Sequence, residues 1–107
     1  MVLTEAATER FLVEWYGSLA SAHAIGETAG RLNDGAALTS ARGEPIRLLM
    51  AMAVPEDDYA FGVFAAESAE TVAQVCDAAG APAERISTAV EWVPSIVEGP
   101  TATGAAS

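Results

Sequence analysis

The sequence predicts an α+β protein of the ferredoxin-like type: a βαββαβ sandwich in which a four-stranded antiparallel sheet carries two helices on one face. Three observations carry that expectation. Residues 59–92, YAFGVFAAESAETVAQVCDAAGAPAERISTAVEW, read as strand, helix, strand. FLVEWY near the start reads as a further strand, and VPEDDY separates two apolar runs as a hairpin turn does. At 107 residues the chain suits one domain with a thin core. That domain is expected over residues 10–93, between a flexible N-terminus at 1–9 and a flexible tail at 94–107.

The first strand rests on Phe11, Leu12, Val13, Trp15 and Tyr16, branched or aromatic residues closed by Gly17. From Ser18 to Ala41 the apolar spacing lengthens. Ile25, Ala29, Leu32 and Ala36 recur at three- and four-residue steps, and Glu27 precedes Arg31 by one helical turn. Gly26, Gly30 and Gly35 weaken this helix by about 1 kcal/mol each, so an interruption is expected at Asn33, Asp34 and Gly35. Gly43 and Pro45 punctuate the chain before a second strand containing Ile46, Leu48, Leu49, Met50, Met52 and Val54.

Pro55 to Asp58 form a polar turn, and Tyr59, Phe61, Val63 and Phe64 open a third strand, antiparallel and adjacent to the second. Ser68 is the expected N-cap of a second helix with an apolar stripe of Val72, Val75, Cys76 and Ala79. Gly80 ends it and Pro82 prevents its resumption. ERISTAVEW, residues 84–92, supplies the fourth strand.

Charge and cysteine usage exclude several functions. The chain has 15 acidic residues against 5 basic ones, all arginine, for a formal net charge of −10. Such a balance repels phosphate backbones and anionic lipid, so neither nucleic acid nor a membrane is an expected partner. Cys76 is the only cysteine, which precludes an internal disulfide. MVLTEAATER has neither the basic flank nor the apolar run of a signal peptide, and a cytoplasmic location is expected.

Two helices cover only one face of a four-stranded sheet. Strict alternation puts Phe11, Val13 and Trp15 opposite Leu12, Glu14 and Tyr16 in the first strand. In the second it puts Ile46, Leu48, Met50 and Met52 opposite Arg47, Leu49, Ala51 and Ala53. Neither side is clearly polar, as it would be in a sheet with one wet face. The uncovered face is therefore expected to be buried by a second copy of the chain, by a ligand, or by both.

The strand-borne Glu14, the AAESAETV junction and the run Gly80, Pro82, Glu84, Arg85, Ile86 resemble a family of small bacterial ferredoxin-like proteins of largely unknown function. The resemblance covers about residues 10–92. It implies an architecture related to the dimeric α/β barrels, where two sheets face each other around a cavity. Some members are described as nickel-binding. Nickel favours nitrogen and oxygen ligands, and His23 is the only histidine, so such a site would need carboxylates or a second subunit.

Glu14 is the most informative polar residue, because a carboxylate among Leu12, Trp15 and Tyr16 is costly unless it meets water, a partner or a cavity. Glu91 has a similar setting beside Trp92. The first and last strands of this fold are neighbours, so the two acids could meet and act as an acid–base pair; alternatively each points to solvent or to Arg10, Arg47 or Arg85. Tyr16, Tyr59, Trp15 and Trp92 are either walls of a cavity around these acids or core and interface residues. His23 lies off the apolar stripe ahead of Glu27, as a surface imidazole or a metal ligand in a dimer. Cys76 reads as a buried thiol, and Glu56, Asp57 and Asp58 as a solvated turn without the spacing of a calcium loop.

Two functional classes fit these residues. One is a non-enzymatic homodimer that binds or senses a divalent metal or small apolar molecule between its sheets, with Glu14, Tyr16 and Glu91 as ligand-binding residues and His23 as the metal candidate. The other is a cofactor-independent isomerase, decarboxylase or monooxygenase acting on a small aromatic or lactone, with Glu14 or His23 as base. Nothing in the sequence specifies a cofactor.

Overall fold

The computed structural model describes residues 8–17 and 21–94. Its elements follow the order β1 (Glu9–Tyr16), α1 (Ala22–Ala41), β2 (Ile46–Val54), a 3-10 turn (Pro55–Asp57), β3 (Tyr59–Ala66), α2 (Ala69–Ala78) and β4 (Arg85–Ala89). The four strands make one antiparallel sheet in the order β2-β3-β1-β4. This is the ferredoxin-like βαββαβ arrangement. The flexible ends expected at 1–9 and 94–107 lie outside the described residues, except for Thr8, for Glu9, which already belongs to β1, and for Pro94.

The core lies between the sheet and both helices. Phe11, Val13 and Trp15 of β1 point into it with Ala60, Phe64 and Ala66 of β3, and meet Leu32 and Ala36 of α1 and Val72, Val75 and Cys76 of α2. Trp15 is completely buried, and its indole nitrogen donates to the Ala81 carbonyl at 2.9 Å. The indole lies over Gly62, where an added Cβ would come within 3.4 Å of the ring.

Helix α1 is continuous for 20 residues, contrary to the interruption expected at Asn33–Gly35. Leu32 and Ala36 bracket that stretch and are buried, while Asn33 and Asp34 face solvent. Burying one leucine contributes about 2 kcal/mol, more than one helical glycine costs. Gly35 also lets the helices approach, since an added Cβ there would lie 3.5 Å from a Val75 methyl. Ser21 caps α1 by accepting the Ala24 amide at 2.9 Å, and Ser68 caps α2 by accepting that of Thr71 at 3.2 Å.

Strand β2 departs from simple alternation. Leu48 pairs with Phe64 and Met50 with Val63, so Leu49 is an extra residue that interrupts the ladder. The bulge corrects the face assignment. Ile46 and Leu48 point to the core, and after Leu49 so do Ala51 and Ala53, whereas Met50 and Met52 turn to the open face with Arg47 and Val54. Strand β4 is also shorter than expected and stops at Ala89, because its neighbour β1 begins at Glu9 and the last pair is Arg10 with Ala89. Trp92 thus falls beyond the sheet and is 81% exposed.

Candidate functional site

Strand register gathers one polar cluster on the open face. Tyr16 is paired with Tyr59, and Glu14 lies between Phe61 on β3 and Arg85 on β4. The Tyr59 hydroxyl donates to one oxygen of Glu14 at 2.9 Å, and the Tyr16 hydroxyl to the other at 3.2 Å. The two phenol rings are 5.6 Å apart, and Phe61 continues the row 5.9 Å from Tyr59. Met52 pairs with Phe61 and Val54 with Tyr59, so apolar side chains of β2 and β3 extend the face on one side of the acid and Arg85 flanks it on the other.

The electrostatics follow from this packing. Partial burial, reinforced by the hydrogen bond to Glu14 and by its negative charge, raises both phenols above their ordinary pKa of 10.0, while Arg85 opposes the shift. Both tyrosines therefore stay protonated as donors through the physiological range. The arrangement can offer a carboxylate and two phenol oxygens to a ligand donor group, or hold a proton among them.

The other sequence candidates are dispersed. Glu91 does not approach Glu14: antiparallel pairing sets Glu14 against Arg85, and Glu91 comes after Ala89, at the opposite end of β1. There it accepts a hydrogen bond from the Arg10 Nε at 2.6 Å. His23 stands on the helical layer, 87% exposed, with its Nε2 3.5 Å from Glu27. Among the described residues no three His, Cys, Asp or Glu side chains form a metal-holding group. Trp15 belongs to the core rather than to a cavity wall, and Trp92 to neither. Cys76 is buried, and desolvation, followed by the charge of Asp77, pushes its thiol pKa up to about 12.

Arg85, one of the alternatives the sequence left open for Glu14, stands opposite it, while two features of the site escaped the sequence reading: Met52 against Phe61, and the placement of Arg10 and Arg47 on either side of Ala65 in one cross-strand row. Alternation within β3 does put Tyr59, Phe61 and Val63 on one face. The register that brings Arg85 and Met52 to them leaves no local signal.

Fold and site together define a small ferredoxin-like protein with one helix-covered sheet face and one open face that is apolar around a tyrosine-bonded carboxylate. Its architecture is similar to that of SCO4226 from Streptomyces coelicolor A3(2), known from a crystal structure analysis. The likeness has a TM-score of 0.63 and 19% sequence identity, covering 78% of this chain and 99% of that one. That identity shows a common fold. No protein-family model and no curated protein matches the chain. Among the described residues no helix is long and apolar enough to cross a membrane.

Proposed function

We propose that this protein is a small binding or sensing module that works as a homodimer, the open face of one sheet set against the same face of a second copy, with a small molecule enclosed around Glu14, Tyr16 and Tyr59. One observation carries the reading. Leu12, Met50, Met52, Val54, Phe61 and Val63 share the face that the helices leave bare, and Met50 and Met52 are 39% and 48% exposed. Contiguous apolar surface of this kind marks an interaction site. A two-fold axis supplies cover from the chain itself, because an isologous interface needs only one self-complementary patch. Glu14 then acquires its purpose: a carboxylate enclosed between two apolar sheets must be matched by donors, and its two tyrosines leave capacity for a donor on the ligand.

Native mass spectrometry on protein purified without chelator or affinity histidines tests this directly. The expected result is a dimer carrying additional mass. A bare, cooperatively folded monomer overturns the proposal.

A further inference from the structure

We propose that the cleft at the Arg10–Arg47 end of the sheet holds the head of a small amphipathic carboxylate whose apolar body lies along Leu12, Val63 and Met50 toward Glu14. The inference rests on the reading above in that the body occupies the same open face, although the cationic end is complete within one chain.

The cleft has a volume of about 760 Å³ and opens where β1 and β2 begin and β3 ends, with Arg10, Arg47, Ala65, Pro45 and Ile46 among its lining. Arg10, Ala65 and Arg47 form one cross-strand row, so the two arginine backbones stand roughly 10 Å apart on either side of a methyl group. Ala65 faces outward yet is only 6% exposed, as expected if the arginine stems lie over it. Both arginines line the cleft, Arg10 with its Nε turned to Glu91.

Their partners are unusual for so acidic a chain. With 15 acidic residues in the chain, the Arg47 side chain has no ion-pair or hydrogen-bond partner among the described residues. Among the described residues Arg10 is held by Glu91, on the segment that follows β4, and an exposed pair of this kind contributes little and exchanges readily. Guanidinium forks match carboxylates in a two-point geometry that a point charge does not provide. The net charge of −10 repels anions at long range, but that field is screened beyond about 8 Å in physiological salt, so contact with two arginines decides once the head has arrived. An apolar body supplies what the long-range field withholds. From the Arg10 row to the Glu14 row the face runs four strand residues, roughly 13 Å, over Leu12, Val63 and Met50.

Isothermal titration of the full chain with decanoate, acetate and decylamine, alongside native mass spectrometry of the same samples, tests the assignment. Decanoate should bind saturably. Arg47→Gln and Arg10→Gln should each weaken it at least tenfold, about 1.4 kcal/mol, while Arg42→Gln, an equal charge change at the end of α1, leaves it unchanged. All three variants should retain the wild-type melting temperature. Acetate binding as well as decanoate overturns the apolar body, and decylamine binding as well overturns the anionic head. Absence of saturable decanoate binding, or equal affinity in the cleft variants, overturns the whole assignment. A monomer that binds decanoate in an arginine-dependent way retires the homodimer and keeps the cleft; a dimer that ignores decanoate does the reverse.

Discussion

Glu14 sits in mid-strand between Phe61 and Arg85 with a tyrosine hydroxyl on each oxygen, and its neighbours report on it unusually cleanly. The chain has 2 tyrosines, and both are in this cluster. Ultraviolet titration of Glu14→Gln should show both phenol pKa values falling toward 10.0 but not reaching it, because partial burial is the larger cause of the shift and remains. Unchanged titration curves would show that the hydrogen bonds do not persist in solution. Cys76 gives a second pH signature. Between pH 9, where the unfolded thiol ionises, and about 12, where the folded one does, the unfolded chain has lost a proton that the folded chain keeps. Stability should therefore fall as pH rises through that window, by up to about 1.4 kcal/mol per unit. Urea melts at pH 8, 10 and 11 would show the slope. In Cys76→Ala it should become shallower, with the part due to the two raised tyrosines remaining, although the cavity lowers stability at every pH. At this scale the sequence was legible where the signal is local: an acid among apolar residues, a cysteine on an apolar stripe. It left alternatives open where the partner is distant in sequence, as with Glu91, for which Glu14, solvent and the arginines all stood and which pairs with Arg10.

The elements differ in how their ends are held. Ser40, the penultimate residue of α1, donates to the Ile46 carbonyl at 2.8 Å and accepts its amide at 3.0 Å, tying the first residue of the edge strand β2 to the helix. Ser40→Ala leaves both backbone groups without that partner and should cost about 1–3 kcal/mol, with loss of hydrogen-exchange protection at Ile46. Ser68→Ala removes one cap bond from α2 and should cost about 1 kcal/mol. Chemical denaturation of the two variants side by side checks the order. Helix α2 was readable residue by residue, with its cap, stripe and closing Gly80 all local chemistry. The bulge at Leu49 was not, because IRLLMAMAV is apolar apart from Arg47 and contains no glycine to mark the extra residue. An unrecognised bulge exchanges every later side chain between faces, so strict alternation groups Met50 and Met52 with Ile46 and Leu48, and Ala51 and Ala53 with Arg47, where the structure has the reverse.

Across the whole molecule, an apolar open face lies on a chain of net charge −10. Two such copies repel each other, so dimerisation should strengthen as salt rises from low to physiological concentration. Sedimentation across an ionic-strength series reads this out, and weakening with salt would point to ion pairs as the main attraction. Met52→Lys places a charge on the proposed interface at a half-exposed position; it should leave cooperative unfolding intact while shifting the population to monomer. The overall topology was legible because hairpins and a strand–helix–strand unit leave few ways to arrange four strands.

The pairing of β1 with β4 has a kinetic consequence. The Arg10–Glu91 contact joins positions 81 apart, so the sheet is completed by nearly the longest loop the domain contains. Contacts of such separation are slow to form, and β4, with 5 residues on the sheet edge, should be the last strand to dock and the first to peel away. Joining the chain near residues 9 and 89 by a short linker, and reopening it at the Pro55–Asp58 turn, would convert that distant closure into a neighbouring hairpin. Such a circular permutant should refold faster than the natural order while keeping the same sheet.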